Sequence, residues 1–188
     1  MLINVYDFDN TIYRGDSSFD FFRHCVRKYP RALLSAAGAL PAFLGMLLGI
    51  VEKTRAKQRF YRYLTRVPEV LEEVDRFWLT HDANLKNWYF AQKQADDLII
   101  SASPEFLLAP VMKRLELLYL ASRVDPQTGR YTGLNCHGEE KVRRMREAYP
   151  AVQIAQFYSD SMNDAPLARL AQEAFMVKGD VISPFPLS

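Results

Sequence analysis

Asp7 and Asp9 close a short apolar run, LINVY, with only Phe8 between them. In extended backbone alternate side chains share a side, so the two carboxylates face the same way. Two anions held that close raise each other's pKa, so that one takes a proton or a cation sits between them. The same pair would also serve as an ordinary turn or helix cap, because Asp accepts backbone N–H groups well. Other polar residues recur at matching places. Ser101 ends a second apolar run, DLIIS, and Asp160 follows a third, VQIAQFYS, with Asp164 four residues on. Lys141 stands early in a helical stretch that opens after Gly138. Carboxylates, a hydroxyl and an ammonium form a donor set for a hard cation beside an oxyanion. Mg²⁺ takes oxygen ligands, keeps several waters and uses one or two carboxylates plus phosphate oxygens. A hydroxyl and a lysine then hold the remaining phosphoryl oxygens.

The elements that must position these groups follow from the apolar pattern. Runs at 2–6, 97–101, 117–124, 152–158 and 174–177 predict strands, and 106–115, 139–148 and 165–172 predict helices. RVDPQTGRYTG, at 123–133, predicts a hairpin. Strand alternating with helix predicts an α/β fold, a Rossmann-like parallel sheet with helices on both faces. Such sheets bind ligands outside the carboxyl ends of their strands, where Asp7, Asp9, Ser101, Asp160 and Asp164 fall. Residues 17–95 break the pattern: they are helical in character and rich in Phe, Tyr, Leu and Arg. The expected organisation is a core of 1–16 and 96–188 with an α-helical cap, 17–95, inserted between its first two strands.

Bulk composition narrows the classes. A net charge of +2 gives no broad basic field for nucleic acid. Cys25 and Cys136 make no disulfide framework and suit a reducing cytoplasm. His24, His81 and His137 share no metal-binding spacing. Residues 2–8 are too short for a secretory apolar region and carry Asp7, so a cytoplasmic location is expected.

In order, DFDNT, IISAS, GEEKV and YSDSMND resemble the four motifs of the haloacid dehalogenase superfamily. More narrowly, they are similar to the branch containing phosphoserine phosphatase and the phosphatidylglycerophosphatase C type enzymes. The resemblance implies a Mg²⁺-dependent phosphomonoesterase acting on a small or lipid-linked phosphate monoester through an aspartyl-phosphate. It implies Asp7 as nucleophile and Asp9 as general acid, then base. It places Mg²⁺ on the Asp7 carboxylate, the Asp9 carbonyl and Asp160, with Asp164 holding a metal-bound water or orienting Lys141. Ser101 and Lys141 would bind phosphoryl oxygens, and Asn163 would lie close to substrate. Asp16 stands where phosphoserine phosphatases carry a Glu that reads the substrate amine, one methylene shorter. Asn10 and Ser159 depart from the usual Gly or Ser and Gly, and Asn tolerates a left-handed turn. A phosphotransferase passing the group to an alcohol would use the same residues. A non-catalytic phosphate-binding module would have lost one of the four motifs, and none is lost.

Residues 32–51, ALLSAAGALPAFLGMLLGIV, carry no charge over about the length of a bilayer span. A single crossing would put Asp7 and Ser101 on opposite sides of a membrane, yet they must share one site. Two readings remain: a cap hairpin whose apolar faces pack on each other, which is the favoured expectation, and peripheral membrane contact. For the second, Arg27, Lys28, Arg31, Lys53, Arg55 and Lys57 supply a basic flank for anionic headgroups. Oligomeric state is not legible in the chain.

Overall fold

The structure is a computed structural model that describes residues 1–187, apart from the side chains of Phe43, Leu47 and Lys53. Lys53 of the basic flank and Ser188, the end of the expected core segment, therefore lie outside what is described. Six strands form one sheet in the order β3-β2-β1-β4-β5-β6. They are β1 (Leu2–Tyr6), β2 (Leu98–Pro104), β3 (Leu118–Ser122), β4 (Gln153–Ser159), β5 (Ala171–Lys178) and β6 (Val181–Pro184). All neighbours pair in parallel except β5 with β6. The order reverses beside β1, so the crevice for a ligand opens at the carboxyl ends of β1, β2 and β4.

Period-two alternation divides the strands between two apolar layers. Ile3, Val5, Leu98, Ile100 and Phe157 face one side, against Val142 and Met145 of α8 (Glu139–Ala148) and Leu167 and Ala168 of α9 (Ala165–Ala168). Tyr6, Ile99 and Tyr158 face the other. There they meet helices from the inserted segment: α1 (Ser17–Lys28) and α5 (Val70–His81), together with α7 (Glu105–Leu115). On α5 the buried positions Val70, Glu73, Val74, Phe77 and Trp78 form one helical stripe. Trp78 Nε1 donates to Leu107 O at 2.7 Å, so the ring that fills the layer also satisfies its polar atom on α7. A fully buried side chain of this size contributes about 1.5–3 kcal/mol. One continuous apolar cluster therefore joins the inserted helices to the sheet. The remaining inserted helices are α2 (Arg31–Ala37), α3 (Leu40–Leu47), α4 (Lys53–Tyr61) and α6 (Asn87–Gln92), with a 3₁₀ turn at Arg62–Arg66.

Three expectations need correction. The helix predicted over 165–172 stops at Ala168, and β5 begins at Ala171. Five residues of that strand pair with β4, and ladder pairing outweighs a weak helical preference. β6 was not foreseen, although Gly179-Asp180 between two apolar runs is a two-residue hairpin signal, and Gly179 has φ +60°. The third concerns α2 and α3. Their faces do not pack on each other: Leu33, Leu34, Leu40, Leu44, Leu48 and Ile50 are all exposed, while Ala32, Ala39 and Ala42 are buried. Small residues let these helices approach α4 and leave those six large ones outside. Gly45 is needed for the turn after α3 to fold back on that helix, since a Cβ there would lie 2.7 Å from Val51 Cγ2.

Candidate active site

β1 ends at Tyr6, and the N–H of the next residue, Asp7, donates to Tyr158 O on β4 at 2.9 Å. The ladder thus fixes the backbone from which the Asp7 carboxylate projects. Lys141 Nζ donates to Asp7 Oδ1 and to Asp164 Oδ2, each at 2.8 Å. Ser159 Oγ donates to the same Asp164 oxygen at 2.7 Å. The Lys141 side chain is only 2% exposed. Burial pulls its pKa down, but Asp7 and Asp164 outweigh that and hold it above the ordinary value, so the ammonium stays charged. Asp7 is shifted upward, chiefly by burial; Lys141 opposes this, and the charges of Asp164 and Asp9 add to it. Among the described residues Asp7 Oδ2 has no hydrogen-bond partner.

Asp9 has a different environment. Its Oδ1 accepts from Ser17 N at 2.7 Å and its Oδ2 from Ser103 Oγ. Ser103 Oγ lies 3.2 Å from Ser17 Oγ and 3.0 Å from Ser18 Oγ, and Tyr61 OH donates to Ser18 Oγ at 3.0 Å. A chain of hydroxyls therefore leads from the end of α4 to Asp9. Burial pushes the Asp9 carboxyl up to about 6, and the nearby Asp16 charge adds to this, against the Ser103 and Ser17 bonds. A carboxyl in that range exchanges its proton near neutrality.

The loops around the pair are tied together. Asn10 adopts the left-handed φ of +57° that lets the chain turn off the sheet. Thr11 Oγ1 accepts from Asp160 N at 3.0 Å, joining the loop after β1 to the loop after β4. Lys86, buried, donates to Asn10 O and Gly179 O, both at 2.6 Å. Asp160 is raised by burial first, with Lys178 opposing and Asp164 adding.

The residues expected at the site divide accordingly. Asp7, Lys141 and Asp164 are in direct contact, and Asp9 and Asp160 flank them. Ser101 is buried at the end of its apolar run, its Oγ accepting from Ser103 N at 3.0 Å. Asp16 is exposed and caps α1, accepting from Phe19 N at 3.0 Å. Asn163 is exposed, and its Nδ2 donates to Ser161 Oγ at 3.0 Å rather than to any of the others. Sequence reasoning missed Ser17, Ser103 and Ser159 as partners. Ser103, two residues beyond Ser101 on β2, had the strand period as its only signal.

Among the described residues no three His, Cys, Asp or Glu side chains form a cage that could hold a metal alone. Mg²⁺ does not ask for one, because one or two carboxylates with water and phosphate oxygens suffice. Asp7, with Oδ2 free, and Asp160 fit that requirement. Both are raised by burial and by neighbouring negative charge, which a cation would relieve.

Comparison with known proteins bears on the family and the fold. The family model of haloacid dehalogenase-like hydrolases matches residues 5–169. Protein CicA of Caulobacter vibrioides is 26% identical, over 92% of this chain and 84% of its own. A protein of unknown function from Bordetella pertussis superposes with a TM-score of 0.65 at 20% identity, covering 92% of this chain and 88% of that one. A phosphoserine phosphohydrolase-like protein from Francisella tularensis does so at 0.58 and 15% identity, over 93% and 86%. The matched span runs from the strand that carries Asp7 to the helix beyond Asp164, and the chain belongs to the haloacid dehalogenase-like hydrolases.

Proposed function

We propose that the protein is a Mg²⁺-dependent phosphomonoesterase that forms an aspartyl-phosphate on Asp7. The observation that carries this reading is the unequal treatment of the two aspartates. Asp7 is set against a buried ammonium with one oxygen unpartnered, whereas both oxygens of Asp9 are held, by an amide and a hydroxyl. That division suits a nucleophile and a proton carrier. Asp7 attacks phosphorus through one carboxylate oxygen, and Lys141 and Ser101 hold the phosphoryl oxygens. Asp9 gives its proton to the departing alkoxide, then takes one from the water that cleaves the acyl phosphate. Asp164 keeps Lys141 in place. When bound by Asp7, the Asp9 carbonyl and Asp160, Mg²⁺ would offset the repulsion between carboxylate and phosphate dianion.

The substrate is a small or lipid-linked phosphate monoester. Asp16, exposed at the start of α1, would face its leaving group, with Asn163 on the rim. The test is hydrolysis of p-nitrophenyl phosphate and of a panel of alkyl phosphates, O-phosphoserine and a phosphatidylglycerol phosphate in detergent. Activity should disappear with EDTA and return with Mg²⁺, and Asp7→Asn should abolish both turnover and covalent phosphate. Turnover by the Asn variant, or full activity of a metal-free preparation, refutes the mechanism.

A further inference from the structure

The α2–α3 hairpin presents six large apolar side chains to solvent, with Leu34 75% exposed and Ile50 77%. Leu40, Leu44 and Leu48 follow a spacing of four along one helical face, and Leu33 and Leu34 extend the patch onto α2. An apolar cluster of this kind on one hairpin marks a contact surface. Its surroundings indicate what it meets. Residues 23–66 carry ten Lys and Arg against a single acid, Glu52, in a chain whose net charge is only +2. Arg27, Arg31, Arg59 and Arg62 are exposed and make no ion pair among the described residues. Arg59 and Arg62 also line a cleft of about 650 Å³ with Arg130, a further concentration of positive charge beside α4. Exposed leucines flanked in sequence by exposed, unpaired arginines complement an apolar layer beneath anionic headgroups. No described helix is long and apolar enough to cross a membrane, and α3 has only eight residues.

We propose that this hairpin docks the protein onto the face of an anionic lipid bilayer, its leucines entering the acyl boundary and its arginines holding headgroups. The inference is independent of the catalytic reading. It predicts that substitutions in the patch cost no stability, because the residues are exposed in the folded protein.

The test is flotation of the full chain with phosphatidylcholine vesicles, with and without about one third phosphatidylglycerol. The parent should float with the anionic vesicles only, and added salt should weaken binding. Leu34→Glu with Leu44→Glu, and separately Arg31→Glu with Arg59→Glu, should each cut binding about tenfold or more. Both variants should keep the parent's melting temperature and its p-nitrophenyl phosphate hydrolysis. Failure of the parent to float overturns the proposal, as does undiminished binding by either variant. A parent dimer that dissociates in the leucine variant also overturns it, by showing that a second copy covers the patch. Flotation by a protein without phosphatase activity leaves this inference standing and removes only the catalytic one.

Discussion

Ser103→Ala isolates what the hydroxyl chain does for Asp9. Ser103 Oγ is the donor to Asp9 Oδ2 and lies 3.0 Å from Ser18 Oγ, so the substitution strips one carboxylate oxygen and leaves a buried Ser18 short of a partner. A hydrogen bond to a charged group is worth about 1.5–3 kcal/mol. If it orients Asp9 in the transition state, its loss slows the step by roughly 10- to 150-fold. The loss should depend on the leaving group. An alkyl phosphate needs the Asp9 proton as its C–O–P bond breaks, whereas p-nitrophenolate leaves without it. Single-turnover release of the leaving group separates this step from hydrolysis of the phosphoenzyme. The alkyl phosphate should show the full loss, and p-nitrophenyl phosphate less than about threefold. Tyr61→Phe removes only the outer link to Ser18 and should give a smaller loss with the same pattern. An equal loss for both leaving groups refutes the role assigned to the chain.

Lys141→Met leaves Asp7 and Asp164 buried without their shared cation. Breaking such a pair costs about 3–5 kcal/mol, so the melting temperature should drop by roughly 6–20 °C, and turnover should be lost even well below that midpoint. An unchanged melting temperature would show that the ion pair is not formed. Glu73, buried on α5, bonds Lys28, Tyr29 and His24 and pairs with Arg76, and despite its burial these partners lower its carboxyl to about 2. A lowered folded pKa contributes stability that is present above about 4.5 and lost as pH falls through 2. With Lys28 and Arg76 half exposed, the contribution is about 1–2 kcal/mol. Glu73→Gln should therefore lower urea stability at pH 7 by that amount, with the difference closing toward pH 2. A difference that does not change with pH would contradict the assignment.

The local chain determined a good deal of this protein. Apolar runs ending in Asp7, Ser101 and Ser159-Asp160 were legible as strands carrying polar groups at their carboxyl ends, because strand period and end chemistry are written within a few residues. The order of those runs, with Lys141 opening a helix between them, was enough to expect one site at one edge of a parallel sheet. Other features needed the tertiary structure. β5 starts three residues after α9 ends because β4 offers it a ladder, and no local propensity records a partner strand. Asp16 is drawn to the α1 cap, and Asn163 to Ser161, by neighbours that compete with any ligand for the same polar atoms. Tyr61 and Ser103, 42 residues apart, are joined through Ser18, and Ser103 then bonds Asp9, only because α1 and α4 fold over the end of β2. The greasy stretch shows the limit most plainly. Its hydropathy is the same whether the leucines face inward or outward, and their direction was decided by which side chains were small enough to let α2 and α3 approach α4. Alanine was, so the leucines whose side chains are described were left outside.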